Sequence, residues 1–255
     1  MHAPANLPVI DPDMLLLAYR SGIFPMADSR DDPEIFWVEP RHRAILPLDG
    51  FRCSRSLART LRRERFRVTC NAAFADVLDA CAAPRPDTEE TWISRRIAAT
   101  YRQLHDEGLA HSVECWRGDE LVGGLYGVGF DRVFCGESMF SFVPDASKVA
   151  LAWLMVALRR SGTVLLDCQF MTGHLASLGA VEITQKCYLA LLRDAQVGGA
   201  AASAAGTGAA LGVAVAAGLG APLPAGFAAV LADAAAAGSS SSPGNFIAQS
   251  FTHTS

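Results

Sequence analysis

The chain has 255 residues, 51% hydrophobic and 19% charged, enough apolar material for one or two packed domains. A net charge of −4 and a pI of about 5.9 argue against a general nucleic-acid binder, so contact with a polyanion would need a local basic patch. The seven cysteines form no C-x-x-C pair and no Cys/His cluster at zinc spacing, and "MHAPANLPVI" has no signal-peptide pattern, so free thiols and a cytoplasmic location are expected.

In chain order, "PDMLLLAYRSG" predicts a short helix closed by Gly22, followed by a turn and strands through "GIFPMADSRDDPEIFWVEPRHRAILP". "CSRSLARTLRRERF" predicts a helix N-capped by Ser54 or Ser56, with Leu57 and Leu61 inward and a face of arginines (Arg55, Arg59, Arg62, Arg63, Arg65, Arg67). "FADVLDACAA" and "ISRRIAATYRQLHDEGLA" read as two more amphipathic helices, the second ended by Gly108. Residues 111–142 then alternate in period two, with turns at Arg117-Gly118-Asp119 and at Asp131-Arg132, the pattern of an antiparallel meander.

"DASKVALAWLMVALRRSG" predicts a helix capped by Asp145 and stopped by Gly162. In "VLLDCQF" the strand period puts Val164, Leu166, Cys168 and Phe170 on one face and Leu165, Asp167 and Gln169 on the other. A carboxylate and a carboxamide there are costly to bury without hydrogen-bond partners. A short helix at "HLASLGA" and a last strand at "VEITQKCYLAL" complete an α+β, or mixed α/β, order. Residues 196–245 are mostly Ala, Gly and Ser with Asp233 the only charge. Gly abundance, Pro222 and Pro224 argue against a membrane span, and the segment is expected to be a disordered insertion or linker.

Several stretches can carry chemistry. "GLYGVG" looks like a phosphate-binding glycine loop for CoA, but a hairpin follows it where such a loop opens a helix. Glu137, in "FCGESMFSF", reads either as a bulge residue paired with an arginine or as a carboxylate that receives a cation. Cys135 could act as a nucleophile with His111 or His174, although no local signature supports it. The arginine face is either solvated surface or a short contact for an RNA acceptor stem, and Trp92 either core or a platform for a base.

"GIFPM", "TWISRRI", "AHSVECW", "LVGGLYGV", "FCGESMF", "ASKVAL", "LLDCQ" and "HLASLGA", collinear over about residues 14–193, resemble leucyl/phenylalanyl-tRNA–protein transferase. The resemblance implies a small N-terminal domain (1–70), an N-acetyltransferase-like catalytic domain with a mainly antiparallel sheet (71–195), the insertion (196–245) and a C-terminal segment (246–255). It implies transfer of Leu, Phe or, less readily, Met from aminoacyl-tRNA to proteins with N-terminal Arg or Lys, which marks them for degradation. No CoA, metal, ATP or other cofactor is implied, nor a membrane, and a monomer is expected.

By the same resemblance Asp167 and Gln169 are the catalytic pair and Glu137 belongs to the acceptor site. Leu125, Phe134, Met139, Leu154 and Leu158 build the aminoacyl pocket, Trp92 meets the terminal adenosine, and Arg62 and Arg63 meet the acceptor stem. Met26 stands where some members have Trp, and Leu154 and Leu158 where some have Phe. Two proton routes stay open: Asp167 accepts the amine's proton, or it only holds Gln169 while a substrate hydroxyl or water moves the proton. Two rival functions also stay open, a CoA-dependent N-acyltransferase and a non-catalytic RNA-binding module.

Overall fold

Asp11 accepts hydrogen bonds from the amides of Asp13 and Met14, and Pro12 fits the first turn, so α1 (Pro12–Arg20) starts there. The computed structural model describes residues 9–84, 90–204, 223–237 and 242–252. After α1, β1 (Phe24–Met26) and β2 (Phe36–Val38) pair as a small antiparallel ribbon. Three helices fall where the sequence pattern puts them: α2 (Arg55–Arg62), α3 (Phe74–Cys81) and α4 (Arg95–Asp106). The hydroxyls of Ser54 and Ser94 cap α2 and α4.

The main sheet holds β3 (His42–Ile45), β4 (Arg67–Cys70), β5 (Ala110–Arg117), β6 (Glu120–Phe130), β7 (Val133–Ser141), β8 (Leu165–Gln169) and β9 (Val181–Thr184). Their spatial order is β4-β5-β6-β7-β8-β3-β9, with every neighbouring pair antiparallel except β7–β8. That parallel pair is joined through α5 (Ala146–Arg160), as a parallel connection requires a crossover. The α+β class is therefore observed. The boundary drawn at residue 70 does not follow the sheet, because β3 and β4 lie before it and are strands of the main sheet.

Alternate side chains of the sheet feed two apolar cores. Leu125, Phe134 and Leu166 join α5, while Tyr126, Val128, Cys135 and Leu165 join α1, α3 and α4. The glycines of "GLYGVG" lie inside β6 and open no helix. A side chain at Gly127 would collide with the Cys135 carbonyl and the Phe134 ring, and one at Gly123 with Ala146. Close strand and helix packing accounts for them.

Three expectations need correction. Asp145 sits in the left-handed region at φ 72° and makes no capping bond; the hydroxyl of Ser141, at the end of β7, accepts the Ser147 amide instead. The last strand ends at Thr184, and after the short α6 (Gly173–Ser177) and β9 comes α7 (Gln185–Ala204), burying Tyr188, Leu192 and Ala195 at helical spacing. The Ala/Gly/Ser-rich segment is not uniformly a linker. Within it α8 (Leu223–Ala236) buries Leu223, Phe227 and Val230, with Phe227 stacked on Trp153 at 5.2 Å. Gly226 lies so close to Ala157 of α5 that a side chain there would strike its carbonyl. The expectation of disorder over 205–222 and 238–241 falls outside the described residues. The last helix among the described residues, α9 (Pro243–Gln249), is seated on Leu61 of α2.

Candidate active site

On β7 the register shifts, so that Tyr126 pairs with Ser138 while the adjacent Gly127 pairs with Gly136. Glu137 is the extra residue of this bulge. The bulge reverses the strand's parity, which is why Phe134 and Met139, five positions apart, both meet the core around α5. It also aims Glu137 towards α1 and α4.

Three side chains from three elements converge on this carboxyl. Tyr19 Oη of α1 donates to Oε1 at 2.7 Å, and Tyr101 Oη of α4 donates to Oε2 at 2.9 Å. Gln169 Nε2, at the end of β8, donates to Oε2 at 2.8 Å. The two phenol oxygens are themselves 2.6 Å apart. Burial, opposed by the three donors, raises the Glu137 carboxyl to about 7. No arginine pairs with Glu137 among the described residues, against the expectation of a bulge residue paired in that way.

The arginine is on Asp167. Arg43 of β3 and Asp167 are both almost wholly buried, with Arg43 Nε 2.9 Å from Oδ1 and Nη2 2.6 Å from Oδ2. Tyr188 Oη donates to Oδ2 at 3.0 Å, and the Gln169 amide donates to Oδ1 at 2.8 Å. Burial disfavours the guanidinium's charge, yet Asp167's hydrogen bonds and charge hold Arg43 above arginine's ordinary range. Gln169 has φ 62°, a left-handed backbone that a non-glycine residue adopts only when held. Asp167 supplies that hold.

Beside this network lies a cavity of about 380 Å³. Leu125, Met139, Leu151, Leu154, Leu166 and Leu175 make its apolar wall, and Glu137, Ser138, Trp92, Thr172 and His174 also line it. Leu166 and Cys168 of β8 and Phe170 just beyond it line the cavity, whereas Asp167 and Gln169, on the opposite face, do not. Of the expected pocket residues, Leu125, Met139 and Leu154 are in the wall; Phe134 and Leu158 are buried in the same core without lining the cavity. Trp92 is half-buried in the lining, and Arg62 and Arg63 are exposed at the end of α2, outside it. Cys135 is fully buried with its thiol pushed up by burial, so it is no nucleophile for substrate.

Tyr19, Tyr101, Arg43 and Tyr188 were not among the sequence candidates. Tyr19 and Tyr101 fall at buried positions of amphipathic helices, where core packing accounts for an aromatic. Nothing in "RHRAIL" sets Arg43 apart from a surface arginine.

Residues 45–193 match the leucyl/phenylalanyl-tRNA protein transferase family, and residues 9–41 match that family's N-terminal domain. The chain belongs to this family. It is therefore an enzyme, a transferase. The leucyl/phenylalanyl-tRNA–protein transferase of Novosphingobium aromaticivorans is 65% identical over 96% of this chain and 97% of its own. Those of Rhizorhabdus wittichii and Zymomonas mobilis are 57% and 56% identical, over 77% and 73% of this chain and 79% and 70% of theirs. Among solved structures, L-PGS from Bacillus licheniformis shares 14% identity at a TM-score of 0.35, over 67% of this chain and 56% of that one. No helix among the described residues is long and apolar enough to cross a membrane.

Proposed function

We propose that this transferase moves Leu, Phe or, less readily, Met from aminoacyl-tRNA to the α-amine of proteins that begin with Arg or Lys, marking them for degradation in the cytoplasm, and that it works as a monomer. The observation that carries the reading is an apolar cavity with the Glu137 carboxyl in its lining, and that carboxyl is held by the Gln169 carboxamide from outside the lining. The aliphatic wall suits an apolar side chain, and about 380 Å³ is room for one amino-acid side chain with its ester.

The neutral amine attacks the ester carbonyl carbon. A C–N bond forms, the C–O bond to the terminal ribose breaks, and the departing oxygen takes up the proton the amine loses. The ester is already activated, so positioning supplies much of the acceleration. Gln169 turns the nitrogen of its carboxamide to Glu137, and the carboxamide oxygen, which has no partner among the described residues, accepts an N–H of the amine. Asp167, buried and paired with Arg43, acts through Gln169 as a positioning residue; the geometry favours this over its taking the proton itself. Glu137 receives the acceptor's cationic side chain, which holds the carboxyl ionised. Trp92 stacks on the terminal adenosine, and Arg62 and Arg63 meet acceptor-stem phosphates.

The test incubates the protein with labelled Leu-tRNA and an Arg-starting peptide, with and without RNase. Label on the peptide that disappears when RNase acts first is expected. Transfer from an acyl-CoA instead would select the N-acyltransferase reading, and retained tRNA with no labelled peptide would select the RNA-binding module.

A further inference from the structure

Arg43 is a buried arginine whose partners reach the site from two directions. Its Nε and Nη2 grip both oxygens of Asp167, and its Nη1 donates to the Gly22 carbonyl, just past the end of α1, at 3.0 Å. The guanidinium is sandwiched between the rings of Phe24 and Tyr188, 4.7 and 4.5 Å from their centroids. From Asp167 the contacts run to the Gln169 amide and then, through the Gln169 carboxamide, to Glu137. From Gly22 they run through α1, whose Tyr19 donates to the same Glu137. Both arms leave one guanidinium and end on one carboxyl.

We propose that Arg43 is a positioning residue of the transfer reaction, fixing Asp167 and the end of α1 so that Gln169 and Tyr19 meet Glu137 in the reactive arrangement. The inference rests on the proposed aminoacyl transfer. Arg43 touches no substrate, since it lies behind β8 and outside the cavity. The planar fork is needed because three groups, Asp167 Oδ1, Oδ2 and the Gly22 carbonyl, lie in fixed directions around it; a lysine ammonium supplies charge without that geometry. The groups facing Asp167 are Arg43 from β3, Cys135 and Glu137 from β7, and Tyr188 from α7, so Arg43 is the only cation among the described residues there. Once it is lost, Asp167 is a buried carboxylate without a counter-charge, the arrangement that burial penalises most.

The experiment compares wild type with Arg43→Lys, Arg43→Met, Asp167→Asn and Arg43→Met/Asp167→Asn, measuring Tm, tRNA affinity, and kcat and KM for an Arg-starting peptide from pH 6 to about 9. A displacement of the order of 1 Å at reacting groups costs about 10²-fold, so kcat should fall by about that factor in Arg43→Met while tRNA affinity holds. Arg43→Lys should keep the wild-type pH profile and lose about tenfold in kcat, since charge is restored without the fork. The double variant, which buries no unpaired charge, should fold even where Arg43→Met does not, and its loss should be well below the product of the single losses. Folded Arg43→Lys and double variants with wild-type kcat, or a Tm loss with kcat per folded molecule unchanged, would overturn the proposal and leave Arg43 a scaffold residue. A wild type that transfers nothing would instead remove the proposed function itself.

Discussion

Burial raises the carboxyl of Glu137 to about 7, so near neutral pH it is divided between its two forms. Its ordinary value is 4.5, and the folded value lies above it. The stabilisation this represents is therefore fully present below the unfolded value and is lost as pH rises through about 7. At the limit that loss is about 3 kcal/mol. Thermal melts of wild type and Glu137→Gln should thus diverge between about pH 5 and pH 8, with wild type losing ground to the variant as pH rises. A constant difference across that range would mean that Glu137 does not titrate there. In transfer assays the same variant should raise KM for Arg- and Lys-starting peptides about tenfold, the scale of a missing charge-assisted hydrogen bond, and leave tRNA affinity alone. Part of this was legible in the sequence. Strand alternation separated Asp167 and Gln169 from the apolar face of β8, and the structure keeps that separation. The apolar face turned out to be the one lining the cavity, and the buried ion pair that holds the polar face depends on Arg43, 124 residues away in the chain. Local pattern carries no such information.

At the scale of elements, helices with caps and a clear apolar stripe were readable, and two misreadings share one cause: a spacing or a residue size taken at face value. In "QKCYLALL" the buried Tyr188 and Leu192 are four apart, a helical spacing hidden by a preceding strand in the same run. In α8 small residues looked unable to form a packed element, yet they let two helix backbones approach closely, with Gly226 against Ala157. Gly226→Leu should consequently destabilise the protein by about 1–3 kcal/mol through overpacking, measured as a lower denaturant midpoint. A free linker would tolerate the change with no shift at all. The α2 arginines make a separate prediction. Arg62→Ala with Arg63→Ala should weaken every aminoacyl-tRNA alike and reduce the salt slope of binding by roughly one unit for each phosphate no longer neutralised. A changed preference between Leu and Phe at an unchanged salt slope would contradict the phosphate role.

Across the whole molecule, the sheet divides two cores and the site is assembled where they meet. Glu137 is held from α1, α4 and β8, and the cavity beside it is walled by α5, β6 and β7. Thus residues 9–40 are part of the site through Tyr19 and Gly22 and are more than an appendage to the main sheet. What this arrangement is proposed to do is present one apolar aminoacyl ester to one neutral α-amine. Mass spectrometry of a Lys-starting peptide and its Nα-acetylated twin, each incubated with Leu-tRNA and the transferase, tests that most directly. One leucyl residue should appear at the N-terminus of the free peptide and none on the acetylated one. Leucyl transfer to the acetylated peptide, or to the lysine side chain of either, would contradict it.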